Sequence, residues 1–177
     1  MILKFNYNQV VICIFYSALS ILIALFMVFI LSKLLERYIW YNNSISEPIG
    51  YYLVYETDQV NKGNTYIISI PTSYMRILKK LGYHANSNTL IKTVVAVSGD
   101  TITITNKGVM INKKSLSNSQ GCQFARGIYL DPKRVGYTHK LLDNEYWVMG
   151  NTSHSYDSRY MGIIPKKLII RRAIFLF

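Results

Sequence analysis

Between Val10 and Leu31 the chain reads VVICIFYSALSILIALFMVFIL, an unbroken apolar run without a charge. At ~1.5 Å rise per residue such a run matches the ~30 Å hydrocarbon thickness of a bilayer, and it predicts a membrane-crossing helix over 10–32. A cleaved export signal is the competing reading. Its apolar run is typically ~7–15 residues and closes on small residues, whereas this one runs into Ser32-Lys33-Leu34-Leu35-Glu36-Arg37. Lys4 on one side and Lys33 and Arg37 on the other leave the positive-inside rule without a decision on orientation.

Past the run the pattern breaks into short segments rich in β-branched and aromatic residues: Tyr51 to Glu56, Thr65 to Ile70, Leu90 to Val97, Thr101 to Thr105, Val109 to Asn112, Tyr146 to Met149 and Leu168 to Phe177. Each predicts a strand. Asn106-Lys107-Gly108 predicts a tight hairpin connection with Gly108 free to take positive φ. Thr72 to Gly82, after Pro71, places Tyr74, Ile77, Leu78 and Leu81 near helical spacing and predicts the one helix of this part. Asn112 to Thr138 carries the least pattern and predicts a long loop or insertion. The expected organisation is a short amino terminus over 1–9, the anchor over 10–32 and one mainly β, antiparallel domain over 33–177.

Composition agrees with this division. Of 177 residues 50% are hydrophobic and two are cysteines, which excludes a disordered chain and a disulfide scaffold. The net charge of +11 falls mostly outside the apolar run, so anionic lipid is the expected partner of the basic residues. Lys79-Lys80, Lys113-Lys114, Lys133-Arg134, Lys166-Lys167 and Arg171-Arg172 are scattered pairs without a nucleic-acid-reading motif, and no direct nucleic-acid partner is expected. Cys13 lies in the apolar run and Cys122 in the long loop, where an ordinary thiol is expected. His84, His139 and His154 lack metal-ligand spacing, so neither metal nor other cofactor is expected.

Candidate chemistry begins at Ser44-Ile45-Ser46-Glu47-Pro48-Ile49-Gly50, a turn entering a strand in which Pro48 fixes φ and Gly50 permits a close backbone approach. Taken alone this is merely a turn. Lys92 changes its meaning, because strand alternation puts it on one face with Leu90, Val94 and Ala96. At a sheet edge its amine would reach water. Buried, it would shed its proton near neutrality, a shift of two to three units costing roughly 3–4 kcal/mol. A serine on a rigid turn beside such a lysine forms a nucleophile and base without a histidine. A third segment, Gly150 to Gly162, is polar between two apolar strands; by itself it would be a surface loop with a weak Asp157–Arg159 pair.

Together the three segments resemble the type I signal peptidase family, and more closely its conjugative-transfer branch, the TraF-type peptidases. Ser46-Glu-Pro48-Ile-Gly50-Tyr-Tyr52 is similar to that branch's S-x-P-x-G-x-Y box, Lys92 to Asp100 to the K-R-V-V-x-x-P-G-D box, and Ser155 to Gly162 to the S-x-D-S-R-Y-x-G box. The helix at Thr72 to Gly82 between the first two boxes also resembles the branch. Three positions depart from the pattern: Thr93 stands where Arg is common, Ser98 where Pro is, and Asn151 where Asp usually follows the glycine.

The resemblance implies a signal-peptidase-like (LexA-like) antiparallel all-β catalytic domain. It implies Ser46 as nucleophile and Lys92 as general base and acid. Ser44 would supply a hydroxyl that joins the Ser46 N–H in an oxyanion hole, and Ser155 a hydroxyl that orients the lysine. Asp157, Arg159, Pro48 and Gly50 would support the site. It also implies a single-pass protein of the inner membrane with the domain on the outer face, cleaving an exported precursor or pilin with small residues at the cut. Other conjugation or type IV secretion components would be its partners. Housekeeping signal peptidase activity and a silent anchored scaffold are the alternatives.

Overall fold

The computed structural model describes residues 7–80, 82, 88–121, 124–125, 128–129 and 135–177. His84, Cys122, Lys133 and Arg134 lie outside them. The chain divides into two compact units, Met1–Ile39 and Trp40–Phe177.

The first unit is the helix α1 (Tyr7–Tyr38). Asn8–Tyr38 is long enough to cross a bilayer, and an 18-residue stretch within it has a mean hydropathy of 2.7. It continues past the predicted end at Ser32, through the Lys33–Glu36 pair at 2.9 Å.

The remaining elements follow in chain order: β1 (Ile39–Asn42), β2 (Gly50–Tyr55), β3 (Thr65–Ser69), α2 (Thr72–Lys80), β4 (Thr89–Ala96), β5 (Thr101–Thr105), β6 (Gly108–Ile111), β7 (Lys114–Ser115), β8 (Phe124–Ala125), β9 (Ile128–Tyr129), β10 (Thr138–Lys140), β11 (Glu145–Met149), α3 (Ser158–Met161), β12 (Ile164–Pro165) and β13 (Ile169–Phe175). Among the described residues they form a seven-stranded sheet in the order β1-β2-β13-β3-β4-β11-β12, a second sheet β10-β5-β6-β7 and the pair β8-β9. The pairings from β2 to β12 are antiparallel, as expected for a mainly β domain.

Each predicted strand is present within a residue or two at its ends, and the hairpin turns at Gly108 with φ 123. The last one begins later than predicted, because Lys166–Leu168 form a 3-10 turn after Pro165. The segment predicted as a long loop holds three short strands, β7, β8 and β9, among its described residues. β1, β10 and β12 are two to four residues long, too short to leave a periodic signal.

Among the described residues three apolar clusters hold the domain together. One gathers Tyr66, Ile68, Val94, Val148, Tyr156 and Tyr160 with Met75 and Leu78 of α2. A second packs Trp147, Ile102, Val109 and Leu141 between the sheets, and a third joins Tyr52, Val54, Ile67, Ile91 and Ala173. Fully burying an aliphatic side chain such as Ile68 or Ile102 contributes about 1.5–3 kcal/mol. The consequence for function is β4. It lies inside the large sheet between β3 and β11, with cluster residues on both of its faces.

Candidate active site

The serine turn is held by Asn42 and Tyr52. Asn42, buried at the end of β1, uses its side-chain amide to donate to the carbonyls of Ser44, Glu47 and Pro48 at 2.9, 3.1 and 2.9 Å, and its Oδ1 accepts from the Ser44 N–H. Tyr52 Oη adds a bond to Pro48 O at 2.8 Å. Gly50, at φ 146, follows, and a Cβ there would collide with the Phe177 carbonyl. The Tyr51 N–H donates to that same carbonyl at 2.9 Å, so the glycine lets the carboxy-terminal strand dock beside the turn.

Ser46 is thereby held with 6% of its surface exposed. Its carbonyl accepts from the Asn151 N–H at 2.7 Å, which ties the turn to the third segment. Its N–H points at Ser44 Oγ, 3.4 Å away, and the two serine hydroxyls lie 3.1 Å apart. The Ser46 N–H is thus directed at the Ser44 hydroxyl, which itself lies beside Ser46 Oγ.

Lys92 sits opposite Tyr66 in the β3–β4 ladder and is 2% exposed. The edge position from which it could reach water is not the one it occupies. Its Nζ is 2.7 Å from Ser46 Oγ and donates to the Ile91 carbonyl at 2.9 Å. Burial pulls its pKa from the ordinary 10.5 down to about 8; Asp157 and Glu47 oppose this and Arg159 adds to it. A neutral amine with one hydrogen committed to a carbonyl can turn its lone pair to the serine hydroxyl.

Asp157 and Arg159 form no exposed loop pair. They are 0% and 2% exposed and bonded side chain to side chain at 2.7 and 2.8 Å. The guanidinium also donates to the carbonyls of Asn118, Gln120, Thr152, Ser153 and Ser155, and Asp157 accepts from the Gly150 N–H. This network ties 150–159 to the carbonyls of Asn118 and Gln120. A buried pair bonded in this way is destabilising to break, by about 3–5 kcal/mol.

Ser155 lines the same cleft as Ser46 and Lys92, but among the described residues its buried Oγ has no hydrogen-bond partner, so the expected bond to the lysine is not formed in this state. A side chain at Gly150 would run into that hydroxyl, so only glycine leaves Ser155 its place there. The cleft has a volume of about 710 Å³, and Ile45, Leu78, Leu90, Ile91 and Tyr156 supply apolar lining beside Ser44, Ser46, Lys92 and Ser155. Among the described residues no cluster of His, Cys, Asp or Glu could hold a metal.

The family pattern described as signal peptidase, peptidase S26, matches residues 11–177. The chain belongs to this family. Two relatives in cyanobacteria match part of this S26 chain. A protein described as probable signal peptidase I-2 in Synechocystis sp. is 29% identical over 101 residues, 56% of this chain and 42% of the relative. A signal peptidase I of Leptolyngbya laminosa is 31% identical over 88 residues, 49% of this chain and 40% of the relative. The chain therefore spans about two-fifths of the length of these curated relatives.

Two buried residues that bond to or within the Ser46 turn, Asn42 and Glu47, escaped sequence reasoning. Asn42 left one usable signal, an Asx residue just ahead of a Ser-rich turn. Glu47 left none, since a carboxylate beside a turn serine is ordinarily solvated.

Proposed function

We propose that this S26 chain is a membrane-tethered serine endopeptidase that cleaves exported precursors, with Ser46 as nucleophile and Lys92 as base. The observation that carries the reading is the 2.7 Å separation of Ser46 Oγ from a Lys92 amine that is 2% exposed. In this mechanism the neutral amine takes the Ser46 proton as Oγ attacks the scissile carbonyl. The Ser46 N–H and Ser44 hydroxyl receive the oxyanion, and the ammonium returns its proton to the leaving amine. A water activated by the same amine then hydrolyses the acyl-enzyme. A substrate amine in place of that water would join the two ends instead, and both outcomes use the same intermediate. The precursor lies extended in the cleft, with small residues beside the cut.

The proposed organisation keeps 1–9 in the cytoplasm, 10–32 in the inner membrane and 33–177 on the outer face, where a precursor with its own apolar segment in the bilayer presents its cleavage site. Tethering both partners to one surface raises their effective concentration. A narrower reading, maturation of a conjugative pilin or type IV secretion component, is favoured by the Ser46-Glu-Pro48-Ile-Gly50 wording and by α2 between the serine and lysine boxes.

Full-length protein in detergent or liposomes, mixed with a candidate precursor or pilin and followed by mass spectrometry, tests this. Ser46→Ala and Lys92→Ala each abolish cleavage while the chain stays folded. In the wild type, kcat/KM rises about tenfold per pH unit up to about pH 8, where the amine becomes neutral, and then levels. Retained cleavage by Ser46→Ala overturns the reading, and the mass of the product separates hydrolysis from joining.

A further inference from the structure

Glu47 follows the nucleophile in sequence and is 3% exposed, yet the mechanism above gives it nothing to do. A buried carboxylate without a task is a cost, since desolvation of an ionised group is unfavourable unless each oxygen is satisfied. Both oxygens are. Oε1 accepts from Thr93 Oγ1 at 2.9 Å, and Oε2 accepts from Asn151 Nδ2 at 3.0 Å. Thr93 is the neighbour of Lys92 on β4, and its hydroxyl is shared onward with Thr65 of β3 at 3.0 Å. Asn151 is the residue whose N–H already holds the Ser46 carbonyl. One carboxylate therefore spans the serine turn, the lysine strand and the segment leading to Ser155. Its two side-chain donors, moreover, stand at two of the three positions where this chain departs from the family wording.

We propose that Glu47 is a positioning residue of this site, its carboxylate setting the register of the Ser46 turn against Lys92 on one side and against Asn151 on the other. The inference rests on the Ser46–Lys92 reading and deepens it. Side-chain bonds from both flanking segments restrict sliding of the turn, which keeps Ser46 Oγ within reach of the amine when a substrate presses into the cleft.

The charge of Glu47 has a second effect. Thr93 and Asn151 are neutral donors, so neither cancels the charge of the carboxylate. The titratable groups that act on it, or on which it acts, are Lys92 on β4, Asp157 at the start of α3 and Tyr52 on β2. Burial raises the carboxyl above its ordinary value, while the Thr93 bond and the Lys92 charge hold it down. Tyr52 is pushed up to about 12, by burial first and then by Glu47. Glu47 also favours the charged form of Lys92. Removing the charge thus eases loss of the lysine proton, and catalysis persists to lower pH.

The test uses the full-length protein in detergent with a cleavable precursor, in four forms: wild type, Glu47→Gln, Asn151→Asp and the pair. Glu47→Gln keeps the Thr93 bond but loses the charge, and the acid limb of its kcat/KM profile moves to lower pH. Asn151→Asp sets two carboxylates against each other, and kcat/KM falls about tenfold. Combining the two restores activity to about that of Glu47→Gln alone, because the new amide donates to the new carboxylate. Melting of the same four proteins reads the clamp independently of cleavage: Asn151→Asp lowers Tm and Glu47→Gln relieves the loss. With Ser46→Ala inactive, an unmoved acid limb in Glu47→Gln or no relief in the pair overturns the positioning role. If Ser46→Ala still cleaves, the Ser–Lys reading fails instead, and the melting cycle alone decides whether Glu47 clamps the three segments.

Discussion

Replacing Lys92 by methionine removes the buried amine while keeping an unbranched apolar stem of similar length. In the native fold the lysine is held from its ordinary 10.5 down to about 8 by burial. At about 1.4 kcal/mol per unit, keeping it charged there costs about 3 kcal/mol. The sign follows from proton binding: between about pH 8 and 10.5 the unfolded chain holds a proton that the native state has released, so stability rises with pH across that window. Below 8 the penalty is fully present, and above 10.5 it has vanished. Methionine gives up the contacts to Ile91 O and Ser46 Oγ, worth about 0.5–1.5 kcal/mol each. The variant is therefore expected to be more stable by about 1–2 kcal/mol at pH 7, a gain of about 3–8 °C in Tm for a domain of this size. Its advantage falls by about 3 kcal/mol between pH 8 and 10.5 and changes sign. Unfolding of the full chain in detergent, followed by fluorescence of the buried Trp147 from pH 6 to 11, measures this, and groups that titrate alike in both proteins cancel in the difference. A difference independent of pH, or a methionine variant less stable than its parent at pH 7, refutes the desolvated amine.

Two further outcomes separate support from chemistry. Asp157→Ala leaves the Arg159 guanidinium buried without its carboxylate and is expected to cost about 3–5 kcal/mol, seen as a large fall in Tm or loss of the cooperative transition. Ser155→Ala removes a buried hydroxyl that makes no hydrogen bond, so melting should stay level or rise slightly while kcat falls about tenfold, the sign of a hydroxyl that engages Lys92 only once substrate is bound. A fall in Tm matching the loss of rate would assign Ser155 to packing instead.

Much of this molecule is legible along the chain. The uninterrupted apolar run of 10–31 is a local property, and so is the alternation that gives β4, β5 and β6 their burial patterns. The Ser46, Lys92 and Ser155 boxes are local strings as well, and Thr72 to Lys80 carries its own helical spacing after Pro71.

Other features depend on which segments meet. Nothing near residue 169 announces that the last strand lies between β2 and β3, because strand order in a sheet is settled by pairings that no local period records. Asp157 and Arg159 read as a surface pair until carbonyls from Asn118 to Ser155 surround the guanidinium. Ser155 stands in the cleft without the bond its box implied, since a hydroxyl's partner depends on a fraction of an ångström. The acidity of Lys92 and the employment of Glu47 belong to the same class. Both follow from desolvation and from neighbours supplied by distant stretches of chain: residue types and their spacing name the groups capable of chemistry, whereas removal from water and close approach arise only when those stretches pack together.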